Sequence, residues 1–378
     1  MIKRLFSGIG RYIRQTDIIL FLLCLTASGL GILMLSGIVS AELAKVSRLY
    51  IQVAATCLGV VAAVIMSKID YHFMAKLWKL HVPAAIFLVL LTFIWGQQRG
   101  GADDKAWIVF NISENFQFSV QPTEFLKISF VLSFSLHLEA VRENINKLKN
   151  VILLCIHGLY PVALIHVQGD DGTALVFLFV FLCMIFSAGI SWKYIFLAAG
   201  AMAAAVPVVW RTVLSTDQKN RILSILDYDF DTQNIGWQQF QGRISIGSGQ
   251  IWGIGIFSPD HRTSVPEIHN DFIFAFIAES VGFIGSVAIL FLLVSIGLKI
   301  LINSRLSQDY LGKYICIGVS AIMLTQIFIN IGMCLSILPV IGITLPFFSS
   351  GGSSAATLYL AVGLALSVYM HNRKTLFS

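Results

Sequence analysis

The chain has 378 residues, of which 57% are hydrophobic and only 12% charged, and its mean hydropathy is +0.81. Soluble domains carry about 25% charged residues, so this composition excludes a soluble globular protein and indicates one polytopic membrane domain over residues 1–378. The net charge of +6 is explained by membrane topology rather than by nucleic acid. The six cysteines lie in apolar runs without metal-type spacing, so we expect small core residues.

Ten apolar runs approach the roughly 20 residues that a helix needs to cross a bilayer. They predict an all-α polytopic membrane protein with about ten transmembrane helices. A stretch of residues 211–270 separates the seventh and eighth runs and is far longer than a connector needs to be. The runs are 17–38, 50–67, 78–96, 122–140, 151–167, 172–189, 192–210, 271–299, 313–335 and 353–370.

Lysine and arginine residues predict the orientation. They cluster before the first run, in the links after the second, fourth and eighth runs, and in the C-terminal tail. With ten spans these segments all fall on one side, so both termini are predicted to be cytoplasmic. The opposite, external side receives residues 97–121, the 211–270 loop and the turn 336–352, where we expect the functional residues.

The first external segment contains Lys105 and Trp107. Trp107 is expected at the membrane interface, either as an ordinary aromatic anchor or beside a substrate. Basic residues here would suit the binding of an anionic lipid diphosphate. They would equally be present without any such role, because long loops are exempt from the positive-inside rule. The other external basic residues are Arg211, Lys219, Arg221, Arg243 and Arg262.

Two acidic motifs flank the middle spans. In "QPTEFLKIS", Glu124 and Lys127 are i, i+3 neighbours just inside the external end of the fourth span. Their ion pair would either brace the helix mouth or contact a polar substrate. In "HVQGDDGTAL", Asp170 and Asp171 either cap a tight turn or form part of a site.

The stretch "ILDYDFDTQ" has alternating aspartates at 227, 229 and 231, like the opening of a calcium loop. It lacks the glycine and the final glutamate that such a loop requires, so a solvated loop is favoured.

In "SVPEIHNDFIFAFIAES", His269 and Asp271 precede an apolar run that contains Glu279. The spacing of Asp271, Ala275 and Glu279 predicts one helix stripe, with Glu279 about 12 Å deeper than Asp271. Carboxylates inside a membrane suggest function or a buried partner. Asp271 is therefore interpreted either as a helix cap or as a catalytic group.

The turn "LPFFSSGGSSAAT" contains Ser349, Ser350 and Gly351. Its backbone amides would either hold a phosphate oxygen or serve only a tight re-entrant turn. Without a lysine in the turn it is not a P-loop.

In order along the chain, these motifs resemble the SEDS family (shape, elongation, division and sporulation), the RodA and FtsW peptidoglycan glycosyltransferases. The matching segments also include "KIDYH" at 68–72 and "GWQQFQGRISIGSGQIWGIGI" at 236–256. Within the second segment "IGSGQIWGIGI" at 246–256, together with the short tails, resembles RodA more than FtsW. The sequence departs from the family pattern at Ala106, usually basic, at Gly169, usually proline, and at Ser280, usually glutamate. The core acids remain, so the departures concern the tuning of substrate contacts.

The resemblance implies polymerisation of lipid II at the outer face of the bacterial cytoplasmic (inner) membrane, for cell elongation and rod shape. It also implies Asp271 as general base, a class B penicillin-binding protein and the elongation machinery as partners, and a divalent cation such as Mg or Mn. Alternatives are a lipid II flippase, a division-specific polymerase and a scaffold. The expected substrate-binding residues are Lys105, Trp107, Glu124, Lys127, Asp170, Arg221, Arg243, His269, Glu279, Ser349, Ser350 and Gly351.

Overall fold

A computed structural model of the chain describes residue 10 and residues 12–97, 105–113, 116–212, 214–226, 236–261 and 265–374. Each of the ten predicted spans is a helix there. This follows from their composition, because a segment in lipid must pair its own backbone groups. The elements are α1 (Ile18–Ser40), α2 (Val46–Lys68), α3 (Tyr71–Lys76), α4 (Trp78–Trp95), β1 (Ile108–Ser113), β2 (Phe116–Val120), α5 (Pro122–Val141), α6 (Leu148–Gln168), α7 (Asp171–Ser187), α8 (Trp192–Thr212), α9 (Thr216–Leu226), α10 (Trp237–Ser248), α11 (Ile273–Leu306), α12 (Tyr310–Cys334) and α13 (Gly352–Lys374).

Within the described ranges, eight of these helices are long and apolar enough to cross a membrane on their own. The other two predicted spans are α5, which carries Glu124, Lys127 and Glu139, and α7, which has 17 residues. Both pack against α12 inside the bundle, so neighbouring helices shield the charges of α5 from lipid. The protein is therefore an all-α polytopic membrane protein, as predicted.

The start of α1 and the end of α13 lie at the same end of the bundle. Asp17 caps α1 by accepting from the Leu20 amide, and its Oδ2 lies 2.8 Å from Asn303 Nδ2 and 3.0 Å from Lys299 Nζ, near the end of α11. Asn372, near the end of α13, accepts from the amide of Gln308. This arrangement requires an even number of crossings and agrees with the ten predicted spans.

The "KIDYH" segment joins helices at this same end of the bundle. The His72 ring lies 2.9 Å from the carboxylate of Asp70 and 2.8 Å from that of Asp309, which precedes α12. Asp70 caps α3 and Asp309 caps α12. The motif therefore fastens α3 to α12, far from the long loops.

Helix α13 packs tightly against α2 through small residues. A Cβ added to Gly363 would lie 2.8 Å from the Cα of Ala63, and one added to Gly59 would lie 3.0 Å from Tyr359. The Tyr359 hydroxyl also bonds to Ser28 of α1 at 2.8 Å. Such close backbone approach is how membrane helices associate, because lipid offers no hydrophobic drive between them.

The long loops collect at the opposite end of the bundle, which we call the loop face: the described parts of residues 97–121, 212–272 and 335–351. The first segment forms an antiparallel hairpin of β1 and β2. The second contains α9 and α10. The side-chain amide of Gln239 in α10 donates a hydrogen bond of 2.8 Å to the carbonyl of Leu338, which joins the second segment to the third.

Helix α11 is kinked at Gly282, where φ is +67°. The segment that follows α10 supplies the hydrogen bonds missing at the kink. The amides of Ile254 and Gly255 donate to the carbonyls of Glu279 and Ser280, and the amide of Phe283 donates to the carbonyl of Gln250. The loop thus replaces part of the helix's own ladder, as irregular backbone at membrane depth requires.

Candidate active site at the loop face

Asp271 lies in a half-buried turn at the loop face, two residues before α11 begins at Ile273. The N-cap position belongs to Phe272, which makes no side-chain cap. The helix thus starts two residues later than the predicted 271, and Asp271 does not occupy the N-cap position. His269 shares the turn, with its Nε2 3.9 Å from the carboxylate of Glu267. The turn presents Asp271 beside the wall formed by Gly342, where an added Cβ would lie 3.6 Å from Oδ2.

Neighbouring segments hold this turn through its backbone carbonyls. Asn330 of α12 donates to the carbonyl of Asp271 at 2.7 Å, and the Ser349 hydroxyl donates to that of Asn270 at 2.6 Å. The amide of Ser350 donates to the carbonyl of His269 at 2.9 Å. Sequence reasoning missed Asn330, although an amide side chain within an apolar helix was the signal that marks it.

The three predicted backbone amides of the Ser/Gly turn all donate to acceptors within the protein. The amides of Ser349, Ser350 and Gly351 donate to the carbonyls of Leu345 and His269 and to Gln52 Oε1. The predicted phosphate cradle at these three residues is therefore wrong, because their amides are already paired. The turn instead serves as the support on which the Asp271 turn rests.

Glu124, Lys127 and Asp170 meet in one buried network. Lys127 Nζ lies 2.8 Å from Glu124 Oε1, and the Thr357 hydroxyl of α13 donates to Glu124 Oε2 at 3.1 Å. Gln121 donates to Asp170 Oδ2 at 2.9 Å. The backbone amide of Gln121 also donates to the Ser353 hydroxyl of α13 at 3.3 Å. The three predicted residues thus anchor the start of α13, below the Ser/Gly turn.

The cavity beside this network is too small for a sugar. It measures about 20 Å³, room for about one water molecule, and is lined by Glu124, Lys127, Gln326 and Thr357 among others. In this structure the bracing role of Glu124 and Lys127 is the one that the geometry supports.

Asp170 is the N-cap of α7, as the capping alternative predicted. Its Oδ1 accepts from the Thr173 amide at 2.9 Å. Burial raises the pKa of the Asp170 carboxyl, against the hydrogen bonds from Thr173 and Gln121 and the charge of Lys127. Gly169 before it adopts φ +93° and ends α6, a conformation that favours glycine.

Glu279 is fully buried on α11 and faces α10. Its oxygens accept from the hydroxyls of Ser245 and Ser248, both at 3.1 Å, and Oε2 lies 3.4 Å from Nδ1 of the buried His261. The predicted stripe from Asp271 into the membrane is therefore not an open path. Glu279 fastens the long loop to α11.

Of the predicted cations, the structure brings Arg221 and Arg243 to the third loop segment. Arg221 Nη1 donates to the carbonyl of Val340 at 3.4 Å, and Arg243 Nη1 donates to Ser336 Oγ at 3.3 Å. Lys105 is exposed and Trp107 half-buried on the strand leading into the hairpin, where the Trp107 carbonyl accepts from Gln97. Residues 227, 229, 231 and 262 lie outside the described residues.

The described residues contain no group of three or more histidine, cysteine, aspartate or glutamate side chains placed to hold an ion.

The family model for the cell cycle proteins FtsW, RodA and SpoVE matches residues 14–374. The chain is 29% identical to the peptidoglycan glycosyltransferase MrdB of Escherichia coli K12 over 372 residues, covering 96% of this chain and 95% of that protein. It is 31% identical to stage V sporulation protein E of Bacillus subtilis 168 over 323 residues, covering 84% and 85%.

Solved structures give the same picture. A peptidoglycan synthase complex that coordinates polymerization and crosslinking contains a chain with a TM-score of 0.79 and 27% identity, covering 94% of this chain and 98% of that one. RodA of Thermus thermophilus has a TM-score of 0.67 and 25% identity, covering 94% and 96%.

Proposed function

Because the chain belongs to the FtsW, RodA and SpoVE family, we propose that it is a peptidoglycan glycosyltransferase with Asp271 as the general base on lipid II. The acceptor sugar hydroxyl attacks the anomeric carbon of the donor, forming a C–O bond as the bond to undecaprenyl diphosphate breaks. The hydroxyl proton passes to the Asp271 carboxylate, and the diphosphate leaves. General-base assistance of this kind contributes about 10²–10⁴-fold to the rate.

The accessibility of the four candidate acids carries this assignment. Glu124 and Asp170 are each 8% exposed, and Glu279 is 0% exposed, each with hydrogen-bonded partners inside the protein. Asp271 is half-buried at the loop face, where a lipid-linked sugar can approach while its tail stays in the bilayer. Asp271 is therefore the acid of the four best placed to take a proton from a bulky substrate.

The leaving diphosphate requires positive charge as the bond breaks. We assign this role to Arg221, which is exposed and donates to Val340 on the segment that walls Asp271. A divalent cation would bind mainly through the diphosphate oxygens, as Mg²⁺ does beside phosphates, because the described residues place no three metal-type side chains together.

The positively charged links support an orientation with the loop face outside the cytoplasmic membrane. The relatives include both MrdB and a sporulation protein at similar identity, so the elongation role rests on the RodA-like segment 246–256 and the short tails. The synthase complex among the structural neighbours supports a crosslinking class B penicillin-binding protein as partner.

A flippase would need polar groups that continue to the other side of the membrane. Polar side chains do continue down α5, but they bond to one another: Ser133 Oγ lies 3.2 Å from His157 Nε2, and His137 Nδ1 lies 3.1 Å from His157 Nδ1. These contacts close the α5–α6 interface, so the polymerase is the favoured function.

The test is polymerisation of labelled lipid II by purified protein with its penicillin-binding partner and Mg²⁺ or Mn²⁺, in detergent, where no membrane remains to be crossed. Asp271→Asn removes the base and is expected to slow glycan formation by about 10²–10⁴-fold. Asp260→Asn, an exposed aspartate elsewhere on the loop face, is the matched control and keeps the wild-type rate. Equal glycan yield from wild type and Asp271→Asn would refute the assignment.

A further inference from the structure

Asn330 joins the two backbone segments that flank the Asp271 carboxylate. It is fully buried near the loop-face end of α12, and its Nδ2 donates at 2.7 Å to the carbonyl of Asp271 and at 2.7 Å to that of Ile343. An asparagine amide has two donor hydrogens, so both are used. One side chain thus ties the turn that carries the acid to the loop that faces it.

The second segment is the wall against which Asp271 lies. Gly342, adjacent to Ile343, has φ +73°, and an added Cβ there would sit 3.6 Å from Asp271 Oδ2. Fixing the carbonyls of Asp271 and Ile343 to one amide therefore sets the spacing between the carboxylate and this wall.

A polar side chain at position 330 lowers the stability of the folded protein. Asn330 Oδ1 is buried without a hydrogen-bond partner, an arrangement that destabilises the folded state. A leucine of similar shape would avoid that cost in a helix surrounded by apolar side chains. The two donated hydrogen bonds are what the asparagine provides in return.

We propose that Asn330 is a positioning residue for the glycosyl transfer, acting through Asp271 without touching the substrate. This rests on the proposed function, with Asp271 as the base. A misplacement of about 1 Å in a reacting group can slow a reaction 10²-fold. Loss of Asn330 should therefore lower kcat while the KM for lipid II stays close to the wild-type value.

The experiment compares Asn330→Leu with Asn303→Leu. Asn303 is a matched control: it is equally buried, donates one hydrogen bond to Asp17, and has a buried Oδ1 without a partner, but lies at the opposite end of the bundle. Asn330→Leu is expected to lower kcat about 10- to 100-fold with KM within twofold. Asn303→Leu should keep the wild-type kcat per folded molecule, even if its unfolding temperature falls.

Hydrogen exchange of the amides in residues 265–272 gives a readout independent of activity. It should become faster in Asn330→Leu and stay unchanged in Asn303→Leu. A wild-type kcat in Asn330→Leu, or unchanged exchange in the turn, would overturn the proposal. If Asp271→Asn polymerises normally, the base assignment fails instead, and the exchange data still report whether Asn330 holds the turn.

Two further variants keep the test decisive if Asn330→Leu does not fold. Asn330→Ser retains one donor and should give an intermediate kcat. Gly342→Ala changes the wall from the other side, placing a methyl group beside Oδ2 at a positive φ. Folded Asn330→Ser and Gly342→Ala proteins that both show wild-type kcat would also overturn the proposal.

Discussion

At the scale of single residues, four carboxylates that look alike in the sequence have different environments. Glu124 is paired with Lys127, Asp170 caps a helix, and Glu279 is enclosed by α10, whereas Asp271 remains half-buried at the loop face. A buried carboxylate is tolerated only when hydrogen bonds or a cation compensate for its lost hydration. Those compensating contacts assign three of the acids to structure.

A Glu279 variant tests whether this acid is structural or belongs to the substrate site. Glu279→Ala removes the acceptor shared by the hydroxyls of Ser245 and Ser248 and the ring of His261. The two hydroxyls keep the carbonyls of Ala275 and Ser245 as acceptors, so we expect a total loss of about 1–3 kcal/mol of stability, mainly from the His261 ring nitrogen, with the KM for lipid II unchanged. Thermal unfolding in detergent measures it, with exposed Glu143→Ala as control. A rise in KM at wild-type stability would instead place Glu279 in the substrate site.

At the scale of elements, α11 is a continuous apolar run in the sequence and a kinked helix in the structure. The kink depends on Gly282 at a positive φ and on the 250–255 segment, which donates to and accepts from the freed backbone groups. The glycines of "GQIWGIGI" are needed for this approach: Gly253 and Gly255 have φ of +81° and +98°. The family-like segment "GQIWGIGI" is thus the part of the long loop that packs against the kink in α11.

Gly282→Ala tests whether the kink in α11 keeps the long loop in place. Its Cβ would lie 2.5 Å from the carbonyl oxygen of Ile251, and the backbone would be held at φ +67°. Because both obstacles are backbone, we expect the long loop to detach and the yield of monodisperse protein to fall sharply. Gly29→Ala, in α1 with open space around it, should leave the yield unchanged. Normal yield and unfolding temperature in Gly282→Ala would contradict this account.

At the scale of the whole molecule, α13 connects the loop face to the bundle. Its first turns bond to Gln121 and Glu124, and its middle packs on Gly59 and Ala63 of α2. The Ser/Gly turn just before it supports the Asp271 turn. The site is therefore held by helices from the beginning, middle and end of the chain.

Breaking the Glu124–Lys127 pair tests this dependence. Lys127→Met leaves a buried carboxylate with only the Thr357 hydroxyl, and we expect a loss of about 3–5 kcal/mol in stability. Adding Glu124→Gln removes the orphaned charge and should recover much of it. Thermal unfolding is the measurement, and Lys149→Met on the surface is the control. Equal unfolding temperatures for Lys127→Met and wild type would show that the pair does not brace the bundle.

Much of this fold was predictable because the bilayer imposes strong rules on composition. Apolar length predicted each of the ten helices, and the motifs around 124, 170, 271 and 349 were correctly placed at one face. Sequence spacing was less reliable at helix ends: Asp271 lies in a turn, because α11 starts only at Ile273.

The sequence by itself determined the membrane class, the ten apolar helices, the face that carries the loops and, through its ordered motifs, the family. Only the tertiary structure decided which acid is accessible, that the Ser349–Gly351 amides are occupied, and that Asn330 holds the Asp271 turn. Hydrophobicity is a property of each segment and can be read locally. Burial and hydrogen-bond pairing depend on partners far away along the chain, such as Gln52 with Gly351 and Ser28 with Tyr359, and exist only once the helices are packed.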